Sequence, residues 1–390
     1  MYKKKYLKYK KKYLYIKKQI GGNNNLQILD ISNNIQITDD YFNNFNNLHT
    51  LNINYCNQLT DNAIINLKGI KILNMSHCYK ITDNSLTFLE GIKELYINNC
   101  YNITGSTFNY IKGIKKLSIS NCHEIIDSSL IYLKGIQELY INNCYNITGS
   151  TFNYIKGIKK LSMSNCRRIT DDSLIYLEGI QELDISYCYE ITGLTFNYIK
   201  GINKLNISNC NKIKDEYFVY LKGINILNIS YCYQLTNQAF IHLENIKELY
   251  MRLCNQKEIT STAFTYLKNI EILDISYCRQ ITDQCFINFN NIKILDMTSC
   301  ILISNVAFTN LHNIEELNMS YCGQDIITDD IFMFINNIKK LCIHGCIQLS
   351  GINLQNLKKL KYLNIKYCAN IIDNYFSELI KNKELLIIKK

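Results

Sequence analysis

Cysteine is the residue type in this sequence with the clearest chemical potential, because its thiols recur at a fixed spacing. A constant interval of 22 residues separates Cys56, Cys78, Cys100, Cys122, Cys144, Cys166, Cys188, Cys210, Cys232 and Cys254. The series continues to Cys368, with two-residue insertions just after Cys254 and just after Cys322. Thiols in such a column could hold metal ions or carry redox chemistry. The total of seventeen is odd, no CxxC pair occurs, and Asn34 takes the same place one period before Cys56. These observations favour packing and backbone hydrogen bonding as the role of the position, which we call the anchor.

The remaining candidates for chemistry do not form a recognisable site. Cys342 falls close to His344 and Cys346, but two thiols and one imidazole leave a zinc site incomplete. The six histidines are His49, His77, His123, His242, His312 and His344. They are scattered one to a period, and no Gly-rich phosphate loop, nucleophile elbow or metal-binding helix motif occurs. We therefore expect no catalytic residues, cofactor, bound metal or small-molecule substrate.

The residues around each anchor predict a strand followed by a helix. Leu stands five residues before the anchor and Ile or Met three before it, as Leu117 and Ile119 do before Cys122. This alternation places two apolar side chains on one face of a short strand. Shortly after another anchor, Cys78, residues 81–91 combine Thr-Asp with Leu86 and Leu89, which predicts a capped helix of two turns.

A stop signal closes each predicted helix nine residues before the following anchor. The position holds Gly69, Gly91, Gly113, Gly135, Gly157, Gly179, Gly201, Gly223, Asn25, Asn47, Asn245, Asn269, Asn291, Asn313 and Asn337. Lys359 is the one departure. Gly and Asn tolerate left-handed backbone, so the column predicts left-handed C-caps.

About sixteen repeats of 22–24 residues follow from this pattern. No repeat can bury its apolar face alone, so neighbouring repeats must stack. We expect an α/β solenoid, a curved horseshoe with a concave parallel β-sheet and short helices on the convex side. The predicted domains are a leader, residues 1–22, and a repeat domain, residues 23–390.

In register from residue 26 to residue 390, the chain resembles the cysteine-containing subtype of the leucine-rich-repeat family, with consensus L-x-x-L-x-I-x-x-C-x-x-I-T-D-x-x-L-x-x-L. This subtype is best known from the substrate-binding halves of F-box proteins in ubiquitin ligases, so the resemblance implies binding of a macromolecule. The F-box itself is not found, because the segment before the first predicted strand is too short for the helices of that motif. The leader, KYLKYKKKYLYIKKQIGG, is similar to one that recurs on proteins of large DNA viruses infecting amoebae.

Composition and charge restrict the setting in which the protein acts. Hydrophobic residues make up 47% of the chain, yet no apolar run approaches the roughly 18 residues of a membrane span. The N-terminus is basic and lacks the apolar stretch of a secretory signal. We expect a monomeric, intracellular and cytoplasmic protein whose thiols are reduced.

The predicted concave face is the expected binding surface, because side chains that alternate with the buried Leu and Ile point into it. Its positions are mostly Ser, Asn and Tyr, which suit a protein partner better than a phosphate backbone. Regularity breaks between residues 249 and 299, beside the first insertion, and Tyr and Arg often dominate interface energies. The predicted anchor for the partner comprises Tyr250, Arg252, Asp274, Tyr277 and Asp296. A second candidate stripe, one residue before the anchors, comprises Tyr187, Tyr231, Tyr277 and Tyr321. The alternative interpretation is that both sets are solvated variations of a neutral surface.

The leader leaves three interpretations open. Residues 1–20 carry nine Lys and no acid, with Tyr and Ile at helical spacing. The segment could cap the first repeat, bind nucleic acid or an anionic membrane surface, or be removed after Gly22.

Three functions are compatible with the whole sequence. The first is a non-enzymatic scaffold that binds a protein, such as a host factor, on its concave face. The second is recruitment of substrates to a ubiquitin ligase without a recognisable F-box. The third is nucleic-acid or membrane-surface binding through the leader.

Overall fold

The computed structural model describes residues 27–43, 45, 47–376, 379 and 384–389. The predicted leader, residues 1–22, lies outside these residues, as does Asn25. The chain divides into two compact units, Met1–Asp184 (unit 1) and Ile185–Lys390 (unit 2). Both are built from the same repeating strand and helix.

Among its described residues, unit 1 has eight strands of three residues each. They are β1 (Ile28–Asp30), β2 (Thr50–Asn52), β3 (Ile72–Asn74), β4 (Glu94–Tyr96), β5 (Lys116–Ser118), β6 (Glu138–Tyr140), β7 (Lys160–Ser162) and β8 (Glu182–Asp184). Its 3-10 helices are Asp39–Phe42, Asp83–Phe88, Phe108–Ile111, Phe152–Ile155 and Asp171–Tyr176, and its single-turn α-helices are Asn62–Ile65 and Asp127–Leu130.

Unit 2 repeats this arrangement with nine strands among its described residues. They are β9 (Lys204–Asn206), β10 (Ile226–Asn228), β11 (Glu248–Tyr250), β12 (Ile272–Asp274), β13 (Ile294–Asp296), β14 (Glu316–Asn318), β15 (Lys340–Cys342), β16 (Tyr362–Asn364) and β17 (Leu386–Ile388). Its 3-10 helices are Phe196–Ile199, Asp215–Leu221, Asn237–His242, Asp283–Phe286, Asp329–Met333, Leu354–Asn356 and Asp373–Phe376, and its single-turn α-helices are Ser261–Phe264 and Asn305–Phe308.

Within each unit the strands are parallel and pair in sequence order, residue for residue. Leu117 of β5, for example, lies opposite Leu139 of β6. The middle residue of each strand from β1 to β16 is buried and its neighbours are more exposed, because successive side chains point to opposite faces. The first and third residues of the strands, with the residue two positions further on, therefore form one surface, here called the open face. The predicted leucine-rich-repeat solenoid fold, with a parallel sheet and short helices, is confirmed.

Short 3-10 helices predominate where the sequence predicted two-turn helices. The helix Asp83–Phe88 has six residues, and the Thr82 side chain accepts a hydrogen bond from Asn84 N, so the predicted cap is confirmed in this repeat. Other repeats have a helix of only four residues, such as Phe108–Ile111, where Gly105, with a φ of 80°, takes the place of the Asp that begins the longer helix. Among the described residues, no helix combines the length and the apolar character needed to cross a membrane.

The predicted left-handed helix ends are confirmed for the glycines only. The eight glycines of the stop column, from Gly69 to Gly223, have φ values of 77° to 86°. None of the described asparagines in that column has a positive φ, so that part of the prediction is wrong. Their side chains serve a different purpose: Asn313 Nδ2 donates to Asn290 O at 2.8 Å, and Asn337 Nδ2 donates to His312 O at 2.9 Å. Asparagine thus links neighbouring repeats at this position.

A second left-handed column, which the sequence did not predict, stands one residue before each anchor. Its fifteen non-glycine members have φ values of 57° to 63°, and Gly345 has 71°. Each turn redirects the chain at the end of a strand, so that the next side chain points into the core. The column contains the predicted stripe Tyr187, Tyr231, Tyr277 and Tyr321.

The two insertions each supply a glutamine that ties two repeats together. Gln256 Nε2 donates to the carbonyls of Cys232 and Leu235, both at 3.0 Å. Gln324 Nε2 makes the equivalent bonds to the preceding repeat, at 3.1 and 2.9 Å. The extra residues therefore bridge repeats through backbone carbonyls.

Candidate functional site

The anchor thiols are buried and act as hydrogen-bond donors. Cys144 Sγ donates to Ile119 O at 3.2 Å and Cys78 Sγ to Ile53 O at 3.2 Å, in each case a carbonyl of the preceding repeat. Burial raises the pKa of the Cys78 thiol to about 12 and that of Cys122 to about 11. Protonated, enclosed thiols are poor nucleophiles and poor metal ligands, which agrees with the structural role predicted for the column.

The zinc alternative at the end of unit 2 finds no support in the geometry. His344 Nε2 lies 2.7 Å from Tyr321 Oη, and its ring also packs edge-on against Tyr367 at 5.1 Å. Cys346 Sγ points inward and donates to Met319 O at 3.2 Å. Within the described ranges, no group of three or more His, Cys, Asp or Glu side chains is placed to hold a metal ion.

The open face of unit 1 carries a charge network that is internally paired. Lys116 Nζ lies 2.9 Å from Glu138 Oε2, and Lys160 Nζ lies 2.8 Å from Glu182 Oε2. Tyr140 Oη donates to Glu138 Oε2 at 2.9 Å, and both lysines lie near its ring, at 5.8 and 5.9 Å. The alternation of E-L-Y with K-L-S in successive repeats is the sequence signal for this network, and it was overlooked.

In unit 2 the register of the strands brings three of the predicted partner-binding residues side by side. Tyr250 lies opposite Asp274, and Asp274 lies opposite Asp296. Adjacent parallel strands are about 4.8 Å apart, so the three side chains are immediate neighbours on the open face. All three are half-buried. We call them, with Arg252 and Tyr277, the unit 2 cluster.

Arg252 and Tyr277 complete this cluster. The Arg252 guanidinium carbon lies 4.5 Å from the centre of the Tyr277 ring, within the range of a cation–π contact. Tyr277 belongs to the left-handed column, and its backbone N–H donates to Thr298 O at 2.7 Å. The structure thus places all five predicted residues together.

Burial affects the protonation of the cluster. It raises the pKa of Tyr250 to about 12, with a further contribution from the hydrogen bond that Tyr250 Oη donates to Glu248 at 3.0 Å. Burial also raises the pKa of Asp274, while the proximity of Ser276 opposes the shift. Asp296 accepts hydrogen bonds from Thr298 Oγ1 at 2.6 Å and from Asn318 Nδ2 at 2.9 Å.

The other tyrosines of the predicted stripe do not form one continuous surface. With Tyr277, they occupy every second repeat, and Asn209, Leu253 and Ser299 separate them. Tyr187 packs edge-on against Tyr189 of its own loop at 6.4 Å, and Tyr231 packs against Tyr233 at 6.5 Å. A role for them in binding stays a prediction.

Unit 1 has an aromatic ladder that the sequence interpretation missed. Tyr79 stacks on Tyr101 at 5.8 Å, Tyr101 on His123 at 6.2 Å, and His123 on Tyr145 at 5.1 Å. The Arg167 guanidinium continues the ladder over Tyr145 at 5.8 Å. All five follow an anchor directly, so the recurrence of aromatic residues once per period was the available signal.

Neither a protein-family model nor a curated protein matches this sequence. Solved structures of leucine-rich-repeat proteins do share its fold. A leucine-rich-repeat protein of Leptospira interrogans has a TM-score of 0.65 at 15% identity, covering 95% of this chain and 97% of its own. Rad7, solved with Elc1 in yeast, has a TM-score of 0.53 at 18% identity, covering 85% and 84%. Toll, from the Toll–Spatzle complex of Drosophila, has a TM-score of 0.60 at 13% identity, covering 87% and 50%.

Proposed function

We propose that this protein is a non-enzymatic scaffold that binds a protein partner on the open face of unit 2, with the unit 2 cluster as the anchor. The observation that carries the proposal is the in-register alignment of Tyr250, Asp274 and Asp296 beside Arg252. Half-buried aromatic and Arg side chains of this kind contribute much of the energy at protein interfaces.

The contrast with unit 1 supports this location. There, the open-face lysines Lys116 and Lys160 are already paired with glutamates. A partner would have to break those ion pairs before it formed its own, and the exchange gains little. In the unit 2 cluster the Arg252 guanidinium instead lies over a tyrosine ring, where it is held in place.

Affinity purification followed by mass spectrometry tests the proposal. The wild-type chain is compared with Tyr250→Ala/Arg252→Ala and with a matched control, Tyr96→Ala/Lys116→Ala. The control also removes a tyrosine from the third position of a strand, Tyr96, and a cation that lies 5.8 Å from the centre of its ring, Lys116. Both of these residues lie on the open face of unit 1.

We expect the wild type and the control to capture the same protein, and the Tyr250→Ala/Arg252→Ala variant to lose it. Loss of an aromatic and an arginine anchor weakens binding by about 2 kcal/mol or more, or roughly 30-fold. Equal capture by all three chains would contradict the proposal.

Recruitment of substrates to a ubiquitin ligase is a narrower version of the same binding role. Its support is the resemblance to the F-box-associated repeats and the shared fold with Rad7, which was solved in complex with Elc1. Co-purification of a cullin or a Skp1-type adaptor with the wild-type chain would favour it, and their consistent absence would remove it.

A further inference from the structure

We infer that the unit 2 cluster accepts a lysine or arginine side chain from an extended segment of its partner, with the cationic end at Asp274 and Asp296 and the aliphatic stem over Ile272 and Ile294. This inference rests on the proposed function, because it names the chemistry of the partner for the same surface.

The register of β12 and β13 builds the two halves of this site. Ile272 lies opposite Ile294, and Asp274 lies opposite Asp296. In each strand the Ile and the Asp are two residues apart and point to the same face, while the leucine between them is buried. An apolar pair therefore borders an acidic pair, and this arrangement matches a side chain with a hydrocarbon stem and a charged end.

The charges on the flanking strands favour a cation. Glu248 of β11 lies opposite Ile272, and Glu316 of β14 lies opposite Ile294. Glu316 is paired with Lys340 at 2.7 Å, whereas Glu248 accepts a hydrogen bond from a tyrosine. Among the described residues of the open face, four carboxylates on β11 to β14 thus face two cations, Arg252 and Lys340. Lys247 and Lys293, which precede β11 and β13, are both paired with Glu271. The open face therefore keeps an excess of negative charge beside the isoleucines.

A buried serine behind the site positions one of the two carboxylates. Ser276 is fully buried, and its hydroxyl lies close enough to Asp274 to lower the pKa of that carboxyl, although the two do not form a hydrogen bond of good geometry. Its backbone N–H donates to Asp274 Oδ1 at 2.8 Å, so the side chain stands directly beside that carboxylate. The buried serine therefore holds the Asp274 carboxylate in a fixed position on the open face.

Arg252 limits the directions from which a side chain of the partner can reach Asp274 and Asp296. Its guanidinium over Tyr277 forms one wall of the site, with Tyr250 on the neighbouring strand. A cationic side chain must approach from the Ile272 side, where the surface is apolar. Arg252 can in turn donate to a backbone carbonyl of the same segment, which favours an extended peptide over a free amine.

Selection from a random peptide display library, with the full chain as bait, tests the inference. Each selected peptide is then measured against the wild type, Asp274→Asn/Asp296→Asn, and the matched control Asp184→Asn. Asp184 ends β8 at the same strand position, but the first residue of that strand is Glu182 instead of Ile. Asparagine at position 274 keeps the acceptor for the Ser276 N–H and removes the charge. Asparagine at position 296 removes the charge together with the acceptor for Asn318 Nδ2, so the peptide substitutions described below isolate the effect of charge.

We expect the peptides to carry a Lys or Arg at a fixed position and to bind Asp274→Asn/Asp296→Asn about 30-fold more weakly, with no change for Asp184→Asn. Replacing that peptide residue by norleucine or citrulline, measured on the wild-type chain, should give a similar loss and does not depend on how the variant folds. A fixed position without Lys or Arg, or equal binding to the asparagine variant, would overturn the inference. If the selected peptides lacked a fixed Lys or Arg but still needed Tyr250 and Arg252 for binding, the inference would fail and the proposed function would stand. If no selected peptide needed Tyr250 and Arg252, the inference and the proposed function would both fail.

Discussion

At the scale of single residues, the left-handed backbone of the turn before each anchor favours some side chains over others. The left-handed region is costly for most side chains and tolerable for Asn and Gly, which explains the asparagines at this position in unit 1, such as Asn121 and Asn143. Leu253 has the same left-handed backbone, with a φ of 57°, although leucine adopts this conformation only at a cost. It stands one residue after Arg252, at the edge of the unit 2 cluster.

Leu253→Asn should therefore stabilise the protein by about 0.5–1 kcal/mol, because Asn adopts left-handed backbone at lower cost. Urea unfolding followed by circular dichroism measures the effect. The control is Leu194→Asn, at an exposed leucine whose φ is not positive. Equal or greater destabilisation by Leu253→Asn than by the control would show that strain at this turn is unimportant.

At the scale of the elements, an aspartate at the start of one helix connects neighbouring repeats. Asp127 Oδ2 accepts from Thr148 N at 3.0 Å and from Thr148 Oγ1 at 2.8 Å, and Asp127 Oδ1 accepts from Gly149 N at 2.9 Å. Residue types predicted helix caps at Thr-Asp, but Ile126 takes the place of Thr here and no side chain caps this helix. The sequence could not predict that the carboxylate serves the following repeat, since this depends on how closely two repeats stack.

Asp127→Ala should remove all three bonds and leave two backbone N–H groups without an acceptor, at a cost of about 2 kcal/mol. Amide hydrogen exchange at Thr148 and Gly149 should accelerate by roughly 30-fold. Asp172→Ala, an exposed acid at a helix start, is the control and should leave both rates unchanged. Similar effects of the two substitutions would mean that the hydrogen bonds from Asp127 to the following repeat contribute little.

At the scale of the whole molecule, the thiol column makes stability depend on alkaline pH. In the folded chain burial raises the thiol pKa above its ordinary value near 9, to about 11 for Cys122 and about 12 for Cys232. Unfolding exposes thiols that ionise near pH 9, so above that pH the unfolded chain binds fewer protons than the folded chain. Stability is then fully present below pH 9 and is lost as the pH rises through the range from 9 to about 12.

The urea midpoint of the reduced protein should change little from pH 7 to pH 8 and fall steeply between pH 9 and pH 10. Each buried thiol lowers the free energy of unfolding by about 1.4 kcal/mol per pH unit in that range, and the contributions of the many thiols in the column add together. Circular dichroism measures the urea midpoint, and the ultraviolet absorbance of thiolates in the folded chain measures the pH at which the buried thiols ionise. A flat midpoint to pH 10, or thiolates that form near pH 9 before unfolding, would contradict this account.

The fold was largely predictable because it follows from local patterns repeated in register. The spacing of Leu117, Ile119 and Cys122 specifies a strand and a buried corner without knowledge of the neighbours. The paired charges of Lys116 and Glu138 were not predicted, because they lie one full period apart and meet only once the register of two strands is known. For the same reason the sequence could name Tyr250 and Asp274 but could not place Ile272 and Ile294 side by side.

Amide hydrogen exchange of the chain with and without its captured protein partner tests the central proposal most directly. Protection should be confined to the segments that carry the cluster, 248–253, 272–278 and 294–299, with little change on the helices or on β4 to β8. Protection centred on unit 1, or on the helical side of unit 2, would contradict the proposal that the open face of unit 2 binds the partner.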